Sequence, residues 1–191
     1  MNTSHDKHVL ILTSGGIDST ALIKYYLNLK YEVRGLFVDF GQLSNTLEEK
    51  AINEISEYFD VEISTSKLKT NKNFNSGEII GRNLMLISLA LLNFSKEIGT
   101  IALGVHSGTG YSDCEPYFIK SAQQNLDIYY DGKVKIEAPF LEMQKTDIWQ
   151  FCSDNDVPIN LTYSCENGTI VECGQCLSCK DKKALYEISS K

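Results

Sequence analysis

The sequence lacks a long apolar run and an excess of basic charge. No apolar segment has the length of a transmembrane helix, and the residues before Val9 contain no apolar core of a signal peptide. The 18 Lys and Arg residues are outnumbered by 25 Asp and Glu residues, which gives a net charge of −7. The chain therefore has no general excess of positive charge with which to bind nucleic acid. These absences predict a cytoplasmic protein that acts on small molecules or on a protein partner, not on a membrane or a nucleic-acid duplex.

Internal repeats and linker-like segments are also absent, and 191 residues are enough for one α/β domain with a substantial core. Apolar patterns predict strands at Val9–Leu12, Tyr31–Asp39, Val61–Ser64, Thr100–Val105 and Lys133–Glu137, alternating with helices at Thr20–Leu29, Leu47–Tyr58, Asn83–Phe94, Pro116–Leu126 and Thr146–Asp154. The helix at Asn83–Phe94 is apolar nearly all round, so we expect it to be buried. Strands that alternate with helices indicate right-handed crossovers and therefore a doubly wound parallel sheet of the α/β class.

The turn after the first predicted strand lacks the Gly-Lys-Ser/Thr sequence of a Walker A loop. Leu10–Thr20 reads L-I-L-T-S-G-G-I-D-S-T, which indicates a buried strand, a glycine turn and a helix N-terminus. Backbone N–H groups at such a turn bind anions, and glycines let the backbone approach a phosphate. Ser14 and Ser19 add hydroxyl donors, and Asp18 is suited to a metal ion that phosphates share. A tight turn with a Ser N-cap is the plainer interpretation, but the whole string directly after a buried strand favours a phosphate site.

Four of the six cysteines crowd into the C-terminal segment in the arrangement C-x7-C-x2-C-x2-C: Cys165, Cys173, Cys176 and Cys179. In a cytoplasmic protein this crowding favours a metal site over disulfides, and four thiolates complete the tetrahedral shell of a structural Zn²⁺. A [4Fe–4S] cluster uses the same number of cysteines and is the main alternative. We therefore predict a single domain, residues 1–191, in which a metal-binding tail of residues 161–191 extends a nucleotide-binding core of residues 8–160.

The glycine turn resembles the S-G-G-x-D-S loop of the N-type ATP pyrophosphatases, the PP-loop superfamily, which cleave ATP between the α and β phosphates. Together with the cysteine tail it resembles the 7-cyano-7-deazaguanine synthase family, and the likeness runs over nearly the whole chain. Further matching strings are F-V-D-F-G-Q at Phe37–Gln42, G-R-N-L-M at Gly81–Met85, G-V-H at Gly104–His106, Y-S-D-C-E-P at Tyr111–Pro116, K-T-D-I at Lys145–Ile148 and V-P-I-N-L-T-Y-S-C at Val157–Cys165. The resemblance implies an adenine nucleotide alpha hydrolase-like fold and a homodimer. It also implies ATP-dependent conversion of 7-carboxy-7-deazaguanine and ammonia into 7-cyano-7-deazaguanine, through an adenylated intermediate, in queuosine biosynthesis.

The same resemblance assigns roles to individual residues. It implies nucleotide binding by Leu12, Thr13, Ser14, Gly15, Gly16, Ile17, Asp18, Ser19, Thr20, Val38, Phe40, Gln42, Arg82 and Asn83. It implies recognition of the deazaguanine by His106, Tyr111, Asp113 and Cys114. Catalysis would fall to Ser14, Asp18, Ser19, Lys145 and Asp113, with Mg²⁺ held by Asp18 and Zn²⁺ by the four tail cysteines.

Several of these residues also have plainer interpretations. A thiol is a nucleophile only when its pKa is lowered, and a loop aspartate is often part of an Asx turn. The plainer roles are a surface ion pair for Arg82 or Lys145, a helix cap for Asn83, a loop hydrogen bond for His106, an Asx turn for Asp113 and a packed thiol for Cys114.

The chain departs from the family pattern in its length and in its base-recognition loop. It is shorter than expected, mainly between Ser64 and Gly81, and residues 108–110 replace a usual acidic residue. Glu115 stands where the family usually has Arg, and exchanging a cation for an anion near an anionic substrate is not neutral. Adenylation is expected to survive these changes. The alternatives are a ligase that stops at the amide or uses another amine, including a protein amine, a PP-loop tRNA-modifying adenylase, and a non-catalytic nucleotide-binding module.

Overall fold

Five parallel strands form the centre of the computed structural model, which describes residues 7–71, 74, 77–94, 98–106 and 108–189. The strands are β1 (His8–Thr13), β2 (Glu32–Asp39), β3 (Ile63–Lys67), β4 (Thr100–Leu103) and β5 (Lys135–Glu137), in the spatial order β3-β2-β1-β4-β5. The α-helices of these ranges are α1 (Ile17–Asn28), α2 (Asn45–Phe59), α3 (Arg82–Phe94), α4 (Pro116–Tyr130), α5 (Lys145–Asp154) and α6 (Leu177–Ser189). Every strand pair is parallel, so the predicted doubly wound α/β sheet is confirmed.

The central strand β1 separates two cores. Val9 and Ile11 pack with α1, α2 and α5 on one face of the sheet, whereas Leu10 and Leu12 pack with α3 and α4 on the other. Because successive strand residues point to opposite faces, a strand covered on both faces requires a continuous apolar run. The chain leaves β1 in one direction toward β2 and β3 and later returns to add β4 and β5 on the other side. Ligands of such sheets bind beyond the carboxyl ends of the strands where the order reverses, here between β1 and β4.

Each predicted strand and helix overlaps an element of the structure, with shifted ends. Helix α1 begins at Ile17 instead of Thr20, and α4 continues to Tyr130. The sequence pattern does not predict α6, because this segment is rich in lysine and has few apolar residues. Its position depends on tertiary contacts, including an edge-to-face contact between Tyr186 of α6 and Trp149 of α5 with ring centroids 4.9 Å apart.

The expectation that α3 is buried is wrong. Only one side of the helix packs on the sheet, where Asn83, Ile87 and Ala90 are buried. Leu84 is 49% exposed and Leu92 is 80% exposed on the other side. An apolar composition shows only that a helix can be buried on all sides. Within the described residues, no element covers the outer face of α3. Among those residues no helix combines the length and apolarity needed to cross a bilayer.

Candidate active site

A cavity of about 300 Å³ lies beyond the carboxyl ends of β1, β2 and β4. Most of the residues predicted from the sequence line it: Leu12, Thr13, Ser14, Gly16, Ile17, Asp18, Ser19, Val38, Phe40, Gln42, Arg82, Asn83, His106, Tyr111, Cys114 and Lys145. Gly15, Thr20 and Asp113 are outside the lining. Residues from distant parts of the chain therefore meet at the switch point of the sheet, as expected for a ligand site of this fold class.

The glycine turn presents backbone amides to this cavity without a side-chain cap. The N-cap of α1 is Gly16, and no side chain caps the helix there, so the Ser N-cap of the plainer interpretation is not present. Ser14 Oγ accepts a 3.4 Å hydrogen bond from the Gly16 amide, and Ser19 Oγ accepts one of 3.3 Å from the Ser14 amide. Gly15 has φ of +74°, and a Cβ there would lie 3.1 Å from the carbonyl oxygen of Glu48. An uncapped helix N-terminus with two hydroxyls beside it is suited to phosphate.

Asp18 and Lys145 form an ion pair inside the cavity. Lys145 Nζ lies 2.5 Å from both carboxylate oxygens of Asp18, and both side chains are only 23% exposed. The buried His106 adds its Nε2 at 3.8 Å from Asp18 Oδ2. Lys145 begins α5, whose N-terminus is fixed by a capping box between Gln144 and Asp147. The pair is therefore an internal feature of the cavity, and the interpretation of Lys145 as a surface ion pair does not fit its position.

The loop after β2 is held by its own side chains. Gln42 Oε1 accepts a 3.0 Å hydrogen bond from the Phe40 amide, and Gln42 Nε2 donates to Val38 O at 3.2 Å and to Glu48 Oε2 at 2.8 Å. Ser44 Oγ donates to Glu48 Oε1 at 2.7 Å. Burial raises the pKa of Glu48, while these hydrogen bonds and the charge of Arg82 act in the opposite direction. Sequence reasoning missed Glu48, because an acidic residue in the first turn of a helix is common without any functional role.

Asp113 connects the Ser112–Cys114 turn to the start of α3. Its Oδ2 accepts a 3.0 Å hydrogen bond from the Asn83 amide, and Asn83 Nδ2 donates to the Asp113 carbonyl at 2.9 Å. Both residues are buried, and Asp113 does not face the cavity. This contact gives Asp113 the role of a helix-capping side chain, so recognition of a base edge by Asp113 stays a prediction.

The four tail cysteines converge on one point. The Sγ atoms of Cys165, Cys173, Cys176 and Cys179 all lie within 4.8 Å of one another, which fits four ligands around a single ion. Burial acts to raise the pKa of Cys165, but hydrogen bonds to its sulfur outweigh it and bring the pKa to about 5. Backbone N–H groups of Cys176 and Gln175 lower the pKa of Cys173. N–H groups that point at these two sulfur atoms favour the thiolate form, which is the form that binds metal. Burial raises the pKa of Cys176 and of Cys179.

The cysteine cluster is docked on the glycine turn and forms one wall of the cavity. The Tyr163 amide donates to Gly15 O at 2.9 Å. Glu166 accepts hydrogen bonds from the Gly77 amide at 2.9 Å and from Ser178 Oγ at 2.8 Å. The wall comprises Tyr163, Ser164, Glu166, Leu177, Ser178, Asp181 and Lys182. The sequence analysis assigned no role to any of them, and only Tyr163 and Ser164 lie in a string that it quoted. No sequence signal marks the other five, because their position depends on how α6 packs.

Substitution of Gly168 tests the docking of the cysteine cluster. Gly168 has φ of +65°, and a Cβ there would lie 2.0 Å from the Leu43 carbonyl oxygen. Gly174 has φ of +68°, but a Cβ there would meet nothing within 4 Å.

Both Gly→Ala changes impose left-handed strain of about 1–2 kcal/mol, and Gly168→Ala must also displace the cluster from the loop that precedes α2. We expect Gly168→Ala to lower the Tm and raise the KM for ATP several-fold more than Gly174→Ala, as measured by thermal unfolding and steady-state kinetics. Equal effects of the two changes would contradict the docking.

Comparison with protein families gives a match along the chain. The family model described as "Queuosine biosynthesis protein QueC" matches residues 8–81 and 67–189. A protein named 7-cyano-7-deazaguanine synthase from Prochlorococcus marinus (strain MIT 9312) is 30% identical, over 97% of this chain and 96% of that protein. A protein of the same name from Sulfurihydrogenibium sp. (strain YO3AOP1) is 31% identical, over 96% of each.

Solved structures share the fold at low identity. The U34-tRNA thiolase NcsA from Methanococcus maripaludis, solved with its [4Fe-4S] cluster, has a TM-score of 0.56 and 16% identity, and the match covers 97% of this chain and 66% of that one. NMN synthetase from Francisella tularensis has a TM-score of 0.54 and 16% identity, over 98% of this chain and 78% of that one. At these identities the likeness shows the fold alone. The family-model match and the near-complete coverage by the relatives go further, and show that the chain belongs to the QueC family of queuosine biosynthesis proteins.

Proposed function

We propose that the chain is an ATP-dependent ligase that converts 7-carboxy-7-deazaguanine and ammonia into 7-cyano-7-deazaguanine. The observation that carries this proposal is the meeting, in one cavity, of an uncapped phosphate loop, the Asp18–Lys145 pair and the Tyr111–Cys114 turn. The relatives named 7-cyano-7-deazaguanine synthase align with 97% and 96% of the chain. No observation favours the related ligases, the tRNA-modifying adenylase or the non-catalytic module.

The first half of the reaction activates a carboxylate. A carboxylate is a poor electrophile, because its leaving group would be oxide. Attack of a carboxylate oxygen on the α-phosphorus of ATP releases pyrophosphate and forms an acyl adenylate. Ammonia then attacks the acyl carbon, and AMP leaves with the former carboxylate oxygen. We assign pyrophosphate binding to the amides and hydroxyls of Ser14–Ser19 and a stabilising positive charge to Lys145, since catalysis of this kind depends on position and charge.

The second half removes the remaining oxygen by the same chemistry. The amide oxygen attacks a second ATP, pyrophosphate leaves, and the amide nitrogen loses one proton. Loss of the second N–H proton and departure of AMP then give the nitrile. The same phosphate loop serves both halves, because each begins with attack by an oxygen on an α-phosphorus.

Two metal ions complete the proposal. We assign Mg²⁺ to Asp18, whose carboxylate lies in the cavity at the start of α1, where the ion would neutralise phosphate charge. The four tail cysteines would hold Zn²⁺ as a structural ion. Sulfur atoms within 4.8 Å of one another support a single ion over an iron–sulfur cube, in which each thiolate ligates a different iron.

We also infer a cytoplasmic homodimer that acts on small molecules, without a nucleic-acid or membrane partner. The net charge of −7 favours small substrates over nucleic acid. Large apolar side chains are exposed on α3 and α4, which cover the same face of the sheet: Leu84, Leu92, Tyr117, Ile128 and Tyr129. Apolar surface of this kind is typical of a site that a second copy covers.

Cys114 is expected to be dispensable for bond formation. Its thiol lines the cavity, but burial raises its pKa, so the thiolate is a minor form at neutral pH. Cys114→Ser keeps a small side chain, and we expect kcat to stay within about threefold of the wild-type value. The measurement is the steady-state rate of AMP release. A loss of a thousandfold would assign Cys114 to covalent catalysis.

The nucleotide products test the proposed chemistry. Protein is incubated with ATP, Mg²⁺ and ammonium, with and without 7-carboxy-7-deazaguanine, and the nucleotides are separated by chromatography. We expect AMP and pyrophosphate in equal amounts, formed only when the carboxylate is present. Formation of ADP and phosphate, or AMP formation that requires tRNA instead of the carboxylate, would contradict the proposal.

A further inference from the structure

We propose that the Arg82 guanidinium binds the carboxylate of the acceptor substrate, so that Arg82 selects the substrate of the first half-reaction and does not serve the ATP phosphates. This inference rests on the proposed function. It goes beyond the family resemblance, which places Arg82 only among nucleotide-binding residues.

Among the lysines and arginines that line the cavity, Arg82 alone forms no ion pair with a carboxylate of the described residues. Lys145 is paired with Asp18 at 2.5 Å, and Lys182 is paired with Glu172 at 2.6 Å. Within the part of the chain that the structure describes, no hydrogen bond or ion pair occupies the Arg82 guanidinium, although the residue lines the cavity. A half-buried cation without an internal partner is suited to an anion that arrives with the substrate.

The position of Arg82 connects it with the base-recognition loop. Arg82 begins α3, and the next residue, Asn83, is tied to Asp113 by two hydrogen bonds. The charge of Arg82 acts on the side chains of Tyr111 and Cys114 in that loop, and across the cavity on Glu48. Arg82 therefore stands between the loop after β2 and the turn that is expected to hold the deazaguanine.

The phosphates have other partners. The proposed function assigns the phosphates to the amides at the N-terminus of α1, to the hydroxyls of Ser14 and Ser19, and to Lys145, all of which lie at the cavity. A guanidinium presents parallel N–H donors that match the two oxygens of a carboxylate. Glu115 is exposed at the start of α4 and does not line the cavity, so it offers no charge to the substrate there.

The two half-reactions give a sharp test, because the acid substrate is charged and the amide intermediate is neutral. Arg82→Gln, Arg82→Lys and the control Glu115→Gln are compared with the wild type on 7-carboxy-7-deazaguanine and, separately, on 7-amido-7-deazaguanine. Loss of a charge-assisted pair predicts that Arg82→Gln raises the KM for the carboxylate by about 10- to 100-fold. The KM for the amide and the KM for ATP should change less than about threefold. Arg82→Lys should give an intermediate value for the carboxylate, because lysine keeps the charge without the planar fork. Glu115→Gln should behave as the wild type.

Two outcomes would overturn the assignment. A raised KM for ATP with both substrates would place Arg82 on the phosphates, and equal losses for acid and amide would place it on the shared base. Calorimetric binding of the acid and of the amide to the wild type and to Arg82→Gln, without ATP, separates this inference from the proposed function. If the wild type converts neither compound, the proposed function fails. The binding data still test the role of Arg82 in that case. If the wild type binds the acid more tightly than the amide and Arg82→Gln loses this preference, the assignment of Arg82 to the carboxylate is supported. If Arg82→Gln keeps the preference, the assignment is refuted.

Discussion

Asp18→Asn is expected to reduce AMP formation by at least about 100-fold while leaving the fold intact. Asn has the shape of Asp but no charge, so it removes the proposed Mg²⁺ ligand and the anionic partner of Lys145 at once. The side chain lies inside the cavity and only 23% of it is exposed, so solvent cannot replace the lost charge fully. Single-turnover rates of AMP release measure the effect, and far-ultraviolet circular dichroism checks the fold.

A matched control and a double variant make the Asp18 result specific. Asp154→Asn makes the same change at an exposed position near the end of α5, outside the cavity, and should leave the rate unchanged. Lys145→Gln should also lower the rate, and the double variant should lose less than the product of the two single effects, because the residues form one unit. A rate for Asp18→Asn within tenfold of the wild type would exclude Asp18 from phosphate chemistry.

Loss of the tail metal is the second change with a large expected effect. Cys176→Ser removes one of four converging thiolates, so we expect the ion to be absent, the Tm to fall by several degrees or more, and activity to be lost. We expect activity to be lost because the segment of the cysteine cluster contacts the glycine turn through the hydrogen bond from Tyr163 to Gly15 and forms one wall of the cavity. Elemental analysis should find one zinc per wild-type chain and none in the variant.

Cys152→Ser is the control for the metal prediction. Cys152 is buried in α5 and lies outside the cysteine cluster, so its substitution should lower stability modestly and leave the zinc content unchanged. Chelation of the wild-type protein followed by addition of Zn²⁺ should remove and restore the activity. Full metal content in Cys176→Ser, or full activity after complete chelation, would contradict a structural ion that supports the site.

Local sequence patterns were sufficient to predict those features that lie within one short segment of the chain. The β1 strand, the S-G-G-I-D-S turn and the cysteine spacing each lie within a short segment, and the structure has the strand, the turn and the converging thiolates where these patterns predict them. The alternation of strands and helices likewise predicts the parallel sheet, because a crossover between parallel strands requires a helix-sized connection.

The remaining features depend on contacts between distant segments. Lys182 lies on α6, which packs against α5, and Glu166 accepts a hydrogen bond from Ser178 of the same helix. The pattern of α6 is too polar to predict a helix, so the sequence does not place either residue at the cavity. Asp113 has the chemistry to recognise a base edge, but its contact with the Asn83 amide follows from the proximity of α3 and the Ser112–Cys114 turn. The exposure of Leu92 depends on what covers α3, which its own composition does not determine.

The identity of the final product tests the central claim most directly. Metal-loaded wild-type protein is incubated with ATP, Mg²⁺, 15N-labelled ammonium and 7-carboxy-7-deazaguanine, and the products are analysed by mass spectrometry. The account predicts 7-cyano-7-deazaguanine that carries one 15N atom, together with AMP and pyrophosphate. Accumulation of the amide alone, attachment of the deazaguanine to a protein, or recovery of the unchanged carboxylate would contradict it.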